Sequence, residues 1–236
     1  MTRLKIYIER LNNGLISSEA EPQVVRKATA TCVVDAMGCL GQVAGVFAMH
    51  KAMALARQHG IGAATVKHSQ HFGAAGYYCK IAADEDLVGI SLTNSEPAMP
   101  PWGSYEAYFG TNPISLGCPT GRQFPIIVDL ATSQVARGNI IAAAKKGEAI
   151  PETWALDAQG HRTDDPEAAL EGSVLPLGGV KGYALALIVD ILSGVLSGAG
   201  FGVGVGSMYK DFSRSANGGS TKVYLYLAKS LRSCHN

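Results

Sequence analysis

The sequence predicts an α/β fold, and three observations carry that expectation. Short apolar runs alternate with longer segments of helical period through much of the chain. Polar turns marked by glycine or proline separate them. The composition, 47% hydrophobic and 17% charged over 236 residues, is that of a folded chain. It is long enough to bury a core as one large domain or two small ones.

Taken in order, Leu4, Tyr7, Ile8 and Leu11 share one helical face, and Gly14 closes that helix. Arg3, Glu9 and Arg10 lie off the stripe. Residues 23–35 are rich in valine and threonine and predict strand, broken near Thr29. Residues 38–60 form the first long helix, with Val43, Val46, Phe47, Met53 and Ala54 turned inward and Gly60 as its stop. A buried strand at 61–66, a helix at 74–84 and a strand at 87–93 follow. Further strands are expected at 114–118 and 125–128, then a helix at 133–146 capped by Thr132 or Ser133. Residues 151–163 read as polar loop anchored by Trp154, and 166–170 as a short helix. Leu175 to Gly182 makes a tight turn into an apolar helix at 183–196. Asp190 lies inside that apolar stretch and glycines crowd its end. A buried core helix followed by a glycine-rich loop is therefore expected in place of a membrane span. Residues 220–236 give one strand, at 222–228, and a basic tail with no partner element.

A net charge of +1 gives no electrostatic reason to expect nucleic acid or an anionic membrane as partner. Cys32, Cys39, Cys79, Cys118 and Cys234 are odd in number and include no C-x-x-C pair. That argues against a disulfide framework or a thiolate zinc site and fits a reducing cytoplasm. The charged start of the chain lacks the apolar run of a signal peptide.

Polar chemistry concentrates in four turns. They are Lys67-His68-Ser69-Gln70-His71-Phe72-Gly73, Thr93-Asn94-Ser95-Glu96-Pro97, Gly110-Thr111-Asn112-Pro113 and Val128-Asp129-Leu130-Ala131-Thr132-Ser133. Each follows an apolar or amphipathic segment, the way a scaffold sets several loops around one cleft. His68 and His71 would make a metal pair on a helix. The phenylalanine and glycines after them set both on a strand-to-helix turn instead, with no carboxylate or thiol at ligand spacing, and no metal is expected. An imidazole at such a turn can give or take a proton near neutrality, which makes His71 the candidate acid–base residue. Gly73 and Gly76 open a helix after a strand and suit close approach by a phosphate or a ligand backbone. No G-x-G-x-x-G occurs, and the alternating glycines at 200–206 follow a helix, so a standard Rossmann domain is not supported. Lys181 has the setting of a phosphate-contacting lysine or of an ordinary surface lysine. Asp129 either holds a ribose hydroxyl or caps the helix beyond it.

Five motifs together carry a family resemblance. They are His71-Phe72-Gly73-Ala74-Ala75-Gly76, Gly110-Thr111-Asn112-Pro113, Asp129-Leu130-Ala131-Thr132-Ser133, Trp154-Ala155-Leu156-Asp157 and Lys181-Gly182-Tyr183. Through them, from Arg3 to about Gly218, the chain resembles the malate/L-lactate dehydrogenase family. That group is unrelated to the Rossmann-type lactate dehydrogenases and also contains ureidoglycolate, sulfolactate and diketogulonate oxidoreductases. The resemblance implies a non-Rossmann NAD(P)-binding fold, with a mixed, largely antiparallel sheet flanked by helices. It implies that residues 1–60 belong to a first domain for substrate and dimer contacts, 61–180 to a cofactor-binding domain and 181–219 to a return into the first, with 220–236 diverging.

By the same resemblance, NAD or NADP exchanges a hydride with a 2-hydroxy or 2-oxo acid, and the protein works as a homodimer or higher homo-oligomer. His71 matches the proton donor and acceptor, and Arg3 and Tyr7 match substrate-side residues. Ser95, Asp129, Leu130, Ala131, Lys181 and Gly182 match positions that hold the dinucleotide. An arginine suits a carboxylate because its planar fork makes two parallel charge-assisted bonds. The family also carries a Ser-His-Gly segment upstream of the helix that begins here at Arg3, and it continues beyond Ser220. The competing expectation is therefore a shortened, catalytically impaired homologue that keeps only dinucleotide binding or dimerisation and exposes an apolar face.

Overall fold

One mixed sheet carries most of the chain. The structure, a computed structural model, describes residues 3–209, residue 212 and the backbone of residues 224–230. Among them are strands β1 (Gln23–Lys27), β2 (Thr31–Asp35), β3 (Ile61–Lys67), β4 (Leu87–Thr93), β5 (Ile114–Cys118), β6 (Ile126–Leu130), β7 (Ala155–Leu156), β8 (Ser173–Val174) and β9 (Tyr224–Ser230). The helices are α1 (Leu4–Asn12), α2 (Gly41–His59), α3 (Ala75–Ala83), α4 (Arg137–Lys146), α5 (Pro166–Glu171) and α6 (Val180–Ser193). Seven strands join in the order β1-β2-β3-β9-β4-β5-β6, while β7 and β8 pair with each other. Among the described strands only β2 and β3 pair in parallel, bridged by α2 as a parallel pair requires. The sheet is mixed and largely antiparallel, as the resemblance implied.

The strand expected at 222–228 is present two residues later as β9, and it takes a central place, hydrogen-bonded to β3 on one side and β4 on the other. The tail beyond Ser230 lies outside the described residues.

Helix α2 packs only partly as its hydrophobic stripe predicts: Met53 is buried and Val46 and Phe47 pack against the core, but two other members of the stripe do not face inward. Val43 is 48% exposed and Ala54 is exposed, while Ala44, Ala48, Ala52 and Ala56 are buried with Met49 and Met53. The cause is close approach. A Cβ on Gly62 would stand 2.0 Å from the Ala52 carbonyl oxygen, so helix and strand backbones nearly touch and only small side chains fit between them. Similar contacts hold α3, where a Cβ on Gly89 would meet Ala82 Cβ at 2.7 Å and one on Gly117 would meet Cys79 O at 2.5 Å. The register pairs Gly62 with Ala228, Ala228 with Gly89, and Gly89 with Gly117. Small residues thus cross the sheet in one row beneath α2 and α3. Gly60, at φ 82°, ends α2 in the left-handed cap a glycine allows.

Three other helices depart from expectation. Leu4 and Ile8 of the α1 stripe are half-exposed, and Arg10, off the stripe, is the buried residue of that helix. Helix α4 starts at Arg137 with no side-chain cap, because the Ser133 hydroxyl donates to Val135 O and the Thr132 hydroxyl to Thr111 O. Helix α6 is not wholly buried: Ala186, Val189 and Asp190 face inward while Ile188 and Ile191 are exposed. No helix among the described residues is long and apolar enough to cross a membrane. The expected polar loop at 151–163 contains β7.

Candidate active site

The turn after β3 is pinned along its length. Ala36 N–H donates to Lys67 O at 2.8 Å, Gly38 N–H to His68 O at 2.9 Å, and the buried Gln70 amide to Leu15 O at 2.9 Å. His68 takes a left-handed φ of 51° and pairs its Nδ1 with Asp35 Oδ2 at 2.9 Å, away from His71. Burial would raise the Asp35 carboxyl, but the Met37 N–H and His68 outweigh it and hold the group below the ordinary aspartate range. The two histidines therefore do not form a pair. Among the described residues no three His, Cys, Asp or Glu side chains converge as metal ligands.

His71, half-buried, sits where this turn meets α3. Its Nδ1 lies 2.5 Å from the Tyr7 hydroxyl of α1 and accepts the Gly73 N–H at 3.2 Å. A backbone N–H only donates, so this contact belongs to a ring with a bare Nδ1 and its proton on Nε2; the tautomer is inferred from these partners. Burial raises the Tyr7 phenol above its ordinary pKa and keeps it protonated at neutrality. A hydroxyl donates or accepts, so Tyr7 can stay paired with His71 in either protonation state of the ring. Phe72 stacks on Tyr78 at 4.9 Å and anchors the next residue of the turn.

The second and third turns are bound to each other. Thr111 N–H donates to Ser95 Oγ and Ser95 N–H to Asn112 Oδ1, both at 3.1 Å. The Asn112 amide reaches on to Ala186 O of α6 at 2.9 Å. Gly110 is required here, since a Cβ would stand 2.2 Å from Ser95 Oγ. The fourth turn joins the helix that follows the first: Gly76 N–H of α3 donates to Asp129 Oδ2 at 2.8 Å.

All four turns border one cavity of about 330 Å³. Its walls include His71, Phe72 and Gly73; Asn94, Ser95 and Glu96; Thr111 and Pro113; and Asp129, Leu130 and Ala131. Arg3 lines it from the N-terminal edge of α1, with no carboxylate partner among the described residues. Of the residues singled out in the sequence, His71, Arg3, Ser95, Asp129, Leu130 and Ala131 meet there. Tyr7 reaches His71 and is not a wall residue. Lys181 is exposed on the first turn of α6, and Gly182 is buried against the Leu177 and Thr132 backbone.

The walls also hold residues that sequence reasoning missed. Arg137 and Gly138 at the start of α4, and Met208 and Tyr209 after α6, border the same cavity. Tyr209 accepts from Arg3 Nε across 206 residues of chain, a separation that no local spacing signals.

Fold and cavity together define an α/β protein outside the Rossmann class, with a cavity bordered by loops at the sheet. The chain belongs to the malate/L-lactate dehydrogenase family, whose model matches residues 1–230. The match runs past Ser220, where divergence was expected. The chain is similar to an L-sulfolactate dehydrogenase of Methanothermobacter thermautotrophicus, 43% identical over 203 residues covering 86% of this chain and 59% of that protein. A malate dehydrogenase of Pyrococcus abyssi is 43% identical over 204 residues, 83% of this chain and 56% of that one. Among solved structures, the sulfolactate dehydrogenase from Methanocaldococcus jannaschii superposes with a TM-score of 0.88 at 38% identity, covering 100% of this chain and 66% of that one. The chain thus spans 56–59% of the length of these two curated relatives.

Proposed function

We propose that this protein is an NAD(P)-dependent dehydrogenase interconverting a 2-hydroxy acid and a 2-oxo acid. The observation that carries the reading is the convergence of His71, Arg3 and Asp129 on one cavity. The walls fit a dinucleotide. Asp129 and the Ser95 and Thr111 hydroxyls offer groups for ribose and phosphate oxygens. Pro113, Leu130, Ala131 and Ile141 offer apolar surface for a base, and the first turn of α4 brings the positive end of a helix dipole. Gly76 leaves no room to spare beside Asp129, since a Cβ there would lie 3.0 Å from Oδ2. Bound in the cavity, NAD or NADP would supply the hydride chemistry.

The chain's own residues do the rest. Arg3 binds the substrate acid group. His71 gives the carbonyl oxygen its proton during reduction and removes it during oxidation. Tyr7 holds the imidazole ring in place through Nδ1. Ser95, Asp129, Leu130 and Ala131 hold the dinucleotide. Lys181 and Gly182 contribute to the dinucleotide site from the neighbouring turn; a Cβ on Gly182 would stand 2.6 Å from Thr132 O, so only glycine lets α6 start this close to the fourth turn. A cytoplasmic homodimer or higher assembly belongs to the same reading.

The test is direct. The full chain is titrated with NADH and NADPH by nicotinamide fluorescence, and their oxidation is followed with pyruvate, oxaloacetate and sulfopyruvate. Binding with turnover is expected. Binding without turnover leaves the shortened, binding-only homologue, and absence of both overturns the reading.

A further inference from the structure

Arg3 is not left to find its own orientation. Its Nε donates to the Tyr209 hydroxyl at 2.9 Å, and the guanidinium carbon lies 6.0 Å from the Tyr209 ring centroid. Tyr209 is itself fixed by the turn that carries it. Met208 N–H donates to Glu96 Oε2 at 2.8 Å, Tyr209 N–H reaches Ser207 Oγ at 3.2 Å, and the Met208 side chain is buried. The loop after β4, the segment after α6 and the start of α1 therefore meet at one point on the cavity wall.

A guanidinium can offer a carboxylate two forks, one made of Nε and one Nη, the other of both Nη atoms. Once Nε is committed to a phenol oxygen, only the paired Nη atoms remain. We propose that Tyr209 is a positioning residue for the substrate acid group: it locks Arg3 so that a carboxylate is met end-on by the two Nη atoms. The inference rests on the dehydrogenase reading, because that reading gives Arg3 a carboxylate to hold. It adds that specificity for an acid depends on a residue distant in sequence that need not touch the substrate. The long, rotamer-rich Arg3 side chain is held in one geometry before binding, which removes part of the ordering cost of the complex.

Oxamate, which carries a carboxylate beside a carbonyl and does not react, separates the outcomes. Its affinity is measured on the full chain with NADH bound, for the unsubstituted protein, Tyr209→Phe, Arg3→Lys and the double variant. Tyr209→Phe keeps the ring and removes only the acceptor. It is expected to weaken oxamate by about tenfold, the scale of a hydrogen bond to a charged group. NADH affinity and melting temperature should not change. In the Arg3→Lys background the same substitution should have almost no further effect, because the lock has nothing left to orient. Unchanged oxamate affinity in Tyr209→Phe overturns the inference and leaves the dehydrogenase reading standing. An equal loss in both backgrounds also overturns it, since Tyr209 would then act without Arg3. Failure of the NADH-bound, unsubstituted protein to bind oxamate at all overturns both.

Discussion

The hydroxyl of Tyr7 stands 2.5 Å from Nδ1 of His71, joining α1 to the strand-to-helix turn that carries the imidazole. The two rings are tilted 35° with centroids 5.9 Å apart, so the contact is through the hydroxyl and not through stacking. Removing that oxygen takes away the side-chain contact at Nδ1 and leaves the Gly73 N–H there, so the ring is held less firmly toward a reacting carbonyl. Tyr7→Phe is expected to lower turnover by about tenfold to a hundredfold, below the range for losing an acid–base group outright. NADH affinity should stay the same. Steady-state rates beside a fluorescence titration check both halves. Because burial keeps the phenol protonated, no tyrosine limb is expected in the rate profile up to about pH 9.

Asp129 accepts the Gly76 N–H at 2.8 Å on the cavity wall. Asp129→Ala removes the proposed acceptor for ribose and the partner of the Gly76 N–H in the first turn of α3. The expected result is NADH affinity weaker by about tenfold with the fold retained, measured by fluorescence titration and thermal melting. Unchanged affinity would place the ribose elsewhere.

Gly110→Ala tests the junction of the second and third turns. The added Cβ would meet Ser95 Oγ at 2.2 Å and Ser95 O at 2.5 Å, both in a half-buried, hydrogen-bonded knot. Overpacking of this kind costs about 1–3 kcal/mol. Thermal unfolding should show the loss, and NADH affinity should fall with it because Ser95 is displaced.

Asp190 gives a pH signature. The side chain is 3% exposed, and burial raises its carboxyl above the ordinary aspartate value even though the Gly202 N–H opposes the shift at 2.9 Å. A raised value means that the folded state keeps a proton the unfolded chain has released. Stability from this group is present below the unfolded value of about 3.9 and is lost as pH rises through the folded one. Asparagine does not titrate. The melting temperature of Asp190→Asn minus that of the unsubstituted protein should therefore become more positive as pH climbs from about 4 to about 7. A difference that does not move with pH would contradict a strained, buried carboxyl.

These predictions also mark what the residues alone could reveal. The four turns were legible because each closes a segment whose period and punctuation are local, and β4 and β5 fall where alternation and β-branching put them. The buried face of α2 was legible only in part. A hydrophobic stripe finds Val46, Phe47 and Met53 but passes over Ala52 and Ala56, which are buried because a Cβ on Gly62 would stand 2.0 Å from Ala52 O and only small side chains fit there. The central place of β9 was hidden for another reason: its partners β3 and β4 lie far upstream, and strand pairing leaves no short-range mark. Tyr209 was invisible on the same grounds. Thr132 and Ser133 looked like caps, but their hydroxyls serve carbonyls of the fourth turn's surroundings, a choice made by tertiary contacts.

The most direct test of the whole account is His71→Ala, assayed for NADH binding and for NADH-dependent reduction of a 2-oxo acid by the same preparation. The account predicts binding close to that of the unsubstituted protein and turnover lower by about a hundredfold or more. Turnover that survives the substitution unchanged would remove His71 from the chemistry and contradict the site described above.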